Sequence, residues 1–127
     1  MTTDTLRPLV DTLKALAHPV RLRILALLRD GELCVCEVAE VLGLAPSTVS
    51  EHLTDLRRTG LVRERKVGRW VHVALSEEAT TRPILETLWP LMAAAGTELE
   101  RDLAQARALR CEACDPADCS ALTPAQP

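Results

Sequence analysis

Cys34 and Cys36 stand one residue apart in the stretch ELCVCEV. Thiolates are soft ligands and good nucleophiles, so paired cysteines can hold a thiophilic metal ion or make and break a sulfur–sulfur bond. Three more cysteines, Cys111, Cys114 and Cys119, lie near the end of the chain in RCEACDPADC. Five is an odd number, which argues against a framework made only of disulfides, and in a reducing compartment such thiols read as metal ligands or redox groups. The CEAC spacing also suits zinc or redox chemistry.

The place of Cys34 has its own logic. CVCE has the spacing of a capping box, with Cys34 where a serine usually stands and Glu37 three residues on. A helix N-terminus lowers a thiol pKa and enriches the thiolate at neutral pH. Inside a helix, residues two apart point to different sides, so for one ion to be held by both sulfurs Cys34 must stay outside the helix or the first turn must unwind. The bland alternative is a pair of small, half-buried hydrophobes.

The elements around this pair follow from periodicity. Leu6, Leu9, Val10, Leu13 and Leu16 recur at helical spacing, with Asp4 as the expected N-cap and Pro8 tolerable only near the first turn. Pro19 restarts the chain, and Val20, Ile24, Leu27 and Leu28 share a face that Gly31 ends. A short helix to Gly43 follows, then the turn Gly43-Leu44-Ala45-Pro46, then a second helix carrying Val49, Leu53 and Leu56 that Gly60 terminates. Two short helices joined by such a turn make a helix-turn-helix. The second helix presents Ser47, Thr48, Ser50, Glu51, Asp55 and Arg58 outward, with His52 among them in a DNA-facing or packing role. After Gly60 the period becomes two, and LVRERKVGRWVHVAL predicts a hairpin across Val67-Gly68. From Pro83 to about Leu109 a helical stripe returns, with Pro90 expected to kink it or mark its true start.

The expected fold is mainly α with a small β-hairpin, a winged helix-turn-helix. One domain covers 1–109, followed by a cysteine-containing tail at 110–127. The stripes of the N- and C-terminal helices exceed what a small domain covers alone, so a homodimer built from both is expected, which supplies two recognition helices for a palindromic site. No apolar run reaches membrane-spanning length and MTTDTLRPLVDTL lacks a basic-then-apolar leader, so a cytoplasmic protein without a membrane partner is the expectation. The net charge of −3 hides a basic cluster. Arg57, Arg58, Arg63, Arg65, Lys66 and Arg69 face a single acid, Glu64, where a nucleic acid could meet them. The DNA-contacting candidates are Ser47, Thr48, Ser50, Glu51, His52, Arg57, Arg58, Lys66 and Arg69. No Gly-rich phosphate loop, Ser/His/Asp set or strand-loop-helix redox context supports an enzyme such as a thiol-based reductase.

HPVRLRILALL, LCVCEVAEVLGLAPSTVSEHLTDLRRTGLV and RERKVGRWVHVAL together resemble the ArsR/SmtB family of metal-responsive winged-helix repressors, over roughly Leu13 to Leu75. ELCVCE resembles the thiolate signature of its arsenic- and antimony-responsive branch. The resemblance implies a homodimer that binds double-stranded operator DNA when empty and releases it when As(III) or Sb(III) binds the cysteines. The arsenic-type motif commonly has a third cysteine three residues after the second, where this chain has Ala39. Cys111, Cys114 and Cys119 are candidates for the missing donor, or for a site of their own. Zinc sensors of the family use His and carboxylates on the terminal helix, and this chain has no histidine between Pro83 and Leu109. Cadmium, lead or zinc on the same thiolates, and a thiol redox switch, remain the alternative readings.

Overall fold

The computed structural model describes residues 2–94 and 96–112. Among them the order is α1 (Thr2–Leu16), α2 (Pro19–Arg29), β1 (Leu33–Cys34), α3 (Val35–Leu42), α4 (Pro46–Arg58), β2 (Val62–Val67), β3 (Trp70–Leu75), α5 (Arg82–Ala93) and α6 (Thr97–Glu112). The tail expected at 110–127 falls almost wholly outside the described residues, Cys114 and Cys119 included; the backbone of Cys111 lies in the last turn of α6.

The core forms where the apolar faces of α2, α3 and α4 meet the sheet. Ile24, Leu25 and Leu27 of α2, Val38 of α3, and Val49, Leu53 and Leu56 of α4 are all buried, as are Leu33, Leu61 and Val73. At roughly 1.5–3 kcal/mol for each fully buried aliphatic side chain, these residues supply most of what holds the helix-turn-helix to the sheet. The turn between α3 and α4 depends on Gly43, whose φ of 69° is left-handed and whose N–H bonds the Ala39 carbonyl at 2.9 Å. Pro46 opens α4 where a missing N–H costs nothing.

The hairpin forms, with β2 and β3 antiparallel from Val62↔Leu75 to Val67↔Trp70, and its turn is at Gly68-Arg69, one residue beyond the expected Val67-Gly68. The sheet also holds β1, giving the order β1-β3-β2, and Leu33 and Cys34 pair with Val73 and His72. A two-residue strand leaves no alternation for a sequence to display.

Two local expectations are corrected. α1 already runs from Thr2, ahead of Asp4, and contains Pro8 in its interior. The terminal stripe is two helices, and Pro90 lies within α5. The chain turns instead near Gly96, whose φ of 96° is closed to most L residues, and α6 starts at the next residue. α6 packs on α2 and α3, and Ala106 is fully buried. Arg23 clamps it there: its guanidinium donates to both carboxylate oxygens of the buried Asp102, at 2.8 and 3.0 Å. Leu6, Leu9, Val10 and Leu13 of α1 and Leu91 of α5 are exposed. Among the described residues no helix is long and apolar enough to cross a membrane.

Candidate nucleic-acid interface and thiol site

α4 buries Val49, Leu53 and Leu56, which turns its other face outward. Ser47, Ser50 and Glu51 are exposed and Thr48 is half-buried, so the start of α4 offers short polar groups beside unsatisfied backbone N–H donors. Arg57 and Arg58 sit in its last turn, and Lys66 and Arg69 are exposed at the hairpin tip. The structure thus brings the expected DNA-contacting residues onto α4 and the wing beside it.

Several of these side chains already have partners. Arg57 pairs with Glu64 of β2, tying the end of α4 to the wing. Arg58 lies 3.8 Å from Asp55, which Arg21 holds more closely at 2.7 Å. The Arg69 guanidinium lies over the Trp70 ring, 5.8 Å from its centroid. His52 is at the junction of α1, α2 and α4 rather than at the exposed tip. Its Nδ1 accepts from Arg21 Nε at 3.3 Å and its ring lies 4.6 Å from that of His18. Burial, then the nearby His18 and Arg21, push the His52 pKa down. Of the two roles open to His52, packing is the one its position favours. The sequence reading did not assign Arg65 a partner. It donates to Glu32 from across the sheet, a long-range pair that no local spacing announces.

The thiol pair sits where β1 becomes α3. Cys34 is the N-cap residue, extended at φ −80° and ψ 153°, and pairs with His72 in the sheet. Cys36 is in the first helical turn. Because Cys34 stays outside the helix, the two side chains converge: their sulfurs are in contact as a disulfide pair, with Cα atoms 5.4 Å apart. Glu37 completes the expected capping arrangement by accepting from the Cys34 N–H at 2.8 Å. Cys34 is 1% exposed and Cys36 8%.

Both cysteines line a cleft of about 490 Å³. Its other walls are Pro46, Ser50, Leu53, Thr54 and Arg57 from α4, and Glu64, Arg69, Trp70 and Val71 from the hairpin. Sequence alone placed the thiols at the start of the bracing helix. Packing also sets them against α4 and the wing. Among the described residues no group of three or more His, Cys, Asp or Glu side chains is gathered for a metal ion. The side chain of Cys111 and all of Cys114 and Cys119 lie outside that description.

The profile described as "Bacterial regulatory protein, arsR family" matches residues 18–64, from the N-cap of α2 into β2. The arsenical resistance operon repressor of Escherichia coli (strain K12) is 40% identical over 83 residues, covering 63% of this chain and 71% of that one. The chain belongs to the ArsR family. Solved structures agree with this membership in the ArsR family. HlyU from Vibrio cholerae N16961 superposes with a TM-score of 0.63 at 40% identity, over 72% of this chain and 97% of that one. The homodimeric winged helix-turn-helix domain of Mb0332 from Mycobacterium bovis, described as a possible ArsR-family regulator, gives 0.64 at 32% identity, over 73% and 84%. As an ArsR-family member the protein is a DNA-binding transcriptional regulator, not an enzyme.

Proposed function

We propose that this ArsR-family protein is a cytoplasmic homodimeric repressor that leaves its operator when As(III) or Sb(III) binds Cys34 and Cys36. The observation that carries the reading is the convergence of the two sulfurs at the N-cap of α3, in the cleft shared with α4 and the wing. Trivalent arsenic and antimony are thiophilic, and two adjacent thiols match them in softness. A third thiolate comes from Cys111, Cys114 or Cys119, of the same or the other protomer. Drawing the sulfurs onto one atom pulls on two structures at once. Cys34 belongs to the sheet that carries the wing, and Cys36 belongs to the helix packed against α4. Regulatory coupling of this kind is typically about 1–3 kcal/mol.

Ser47, Thr48, Ser50 and Glu51 read the operator from α4, while Arg57, Arg58, Lys66 and Arg69 hold phosphates. Dimerisation is supported by the exposed apolar face of α1 and by the homodimeric state of Mb0332. Leu9→Asp with Leu13→Asp should yield monomers by light scattering, and lower operator affinity by roughly 10²-fold or more through lost bivalency.

The deciding experiment is operator release measured with arsenite, antimonite, cadmium, lead, zinc and peroxide on the protein and each Cys→Ser variant. Release by arsenite or antimonite that disappears in Cys34→Ser and Cys36→Ser is expected. Release that survives in the double variant overturns the site. The contact between the sulfurs supports one second reading, a dithiol switch that gives two electrons and two protons to a peroxide as the disulfide forms. Release by peroxide but not by any metal or metalloid would select it.

A further inference from the structure

His18 and His52 lie at the junction of α1, α2 and α4, with ring centroids 4.6 Å apart. Nδ1 of each ring is already an acceptor. His18 accepts from the Val20 N–H at 3.1 Å and His52 from Arg21 Nε at 3.3 Å. The single proton of each neutral ring is therefore on Nε2. Arg21 is the hub of the junction. It also donates to Asp55 Oδ2 at 2.7 Å and to the Ala15 carbonyl at 3.4 Å. One guanidinium on α2 thus holds the end of α1 and two residues of α4 that are one turn apart. A second proton on the His52 ring would turn Nδ1 from acceptor to donor, and the bond from Arg21 Nε cannot survive that change.

We propose that this junction is an acid-sensitive switch on operator binding: protonation of His52 breaks its bond to Arg21 and loosens α4 from the helix that positions it. Charged groups face His52 from each side. His18 and Arg21 of α2 oppose a charged ring, while Asp55 and Glu51 of α4 favour it. From α1, Asp11 and Lys14 share the adjoining hollow with Arg21, Asp55 and Arg58. Burial opposes the charge more than any of these, so His52 stays neutral until pH falls below the usual histidine range. Once charged, it stands unbonded beside Arg21, and Asp55 alone keeps α4 on that guanidinium. α4 carries the polar groups that face DNA, so its displacement lowers operator affinity. That sign is opposite to the general electrostatic effect, in which added positive charge strengthens DNA binding. The switch requires only the DNA binding of the family and acts whatever the thiols hold.

The test is operator affinity from about pH 8 to about pH 5 at fixed ionic strength, on the reduced full-length protein without added metal, with circular dichroism at each pH. The wild type should lose about fivefold or more of its affinity across that range while still folded. His52→Gln keeps an oxygen that can accept from Arg21 and has no proton to gain, so its affinity should stay level or rise in acid. His18→Asn keeps an N-cap acceptor and the Arg21–His52 bond, so it should keep the loss and move it to higher pH, because one opposing charge is gone. The Cys34→Ser/Cys36→Ser protein should show the wild-type loss, and its absence there would tie the effect to the thiols and sink the proposal. A loss that persists in His52→Gln, a wild-type affinity that holds or rises in acid, or a loss that only follows unfolding seen by circular dichroism would each overturn it as well.

Discussion

The Glu32 carboxylate accepts two hydrogen bonds from the Arg65 guanidinium, at 2.5 Å from Nη2 and 3.3 Å from Nε. Glu32 lies two residues before Cys34, and Arg65 lies on the wing strand. In the sheet, Cys34 faces His72 and His72 faces Arg65, so a single row runs from thiol to wing. The Glu32–Arg65 pair closes this row from outside the ladder.

The pair should therefore carry part of the coupling between thiol and wing. Glu32→Gln keeps the shape and removes the charge. It should leave arsenite binding intact while shrinking, severalfold, the ratio of operator affinities without and with arsenite. The Arg65 hydrogen bond, against the opposing effect of burial, holds the Glu32 carboxyl below the usual glutamate range. Its contribution is then present above the unfolded-state value and lost as pH falls through the depressed folded value. The wild-type protein should lose this coupling only in acid, and Glu32→Gln should show no such pH dependence. Fluorescence anisotropy with labelled operator at several pH values checks both.

The two ends of the basic cluster should differ in their salt dependence. Lys66 and Arg69 are exposed at the hairpin tip, whereas Arg57 is already held by Glu64. Lys66→Ala and Arg69→Ala should each lower the slope of log affinity against log salt by about 0.9, equally on specific and nonspecific DNA. Arg57→Ala should lower it less. Equal slopes for all three variants would mean that Glu64 releases Arg57 on binding.

Asp102 is 7% exposed in its side chain and binds Arg23 through both oxygens. Asp102→Ala strands the guanidinium and loosens α6 from α2. The expected cost is about 1.5–3 kcal/mol, as for hydrogen bonds to charged groups. Urea unfolding should show the midpoint falling with an unchanged m-value.

His52 gives stability a second pH dependence. Its folded pKa is depressed, so the unfolded chain binds the proton more tightly. Stability is complete above the ordinary histidine value of about 6.5 and falls as pH drops from there toward the depressed folded value. His52→Gln should flatten the melting temperature across that window. A His52→Gln protein that keeps the full acid sensitivity would assign it to other groups.

Much of the helix-turn-helix was legible because its signals are local. Apolar residues three and four apart, Gly43 and Pro46 at the turn, and the switch to period two after Gly60 each act within a few residues. The capping role of Cys34 was legible for the same reason, since Glu37 is one helical turn away. The start of α1 and the division between α5 and α6 were misread. Proline is a strong local cue, but Pro8 and Pro90 sit inside helices, and the chain turns near Gly96 instead.

By itself, then, the sequence determined the order of the helices, the basic hairpin and the presence of two thiols at a helix start. Those follow from backbone sterics and hydrophobic periodicity, which depend on near neighbours. Tertiary structure alone decided that Cys34 is a strand residue paired with His72, that both thiols open into a cleft with α4 and Trp70, and that Glu32 reaches Arg65. It also set His52, open between a DNA-facing and a packing role, beside His18 and Arg21. Each of these joins residues ten or more positions apart, and such contacts are selected by how whole elements pack around a shared core.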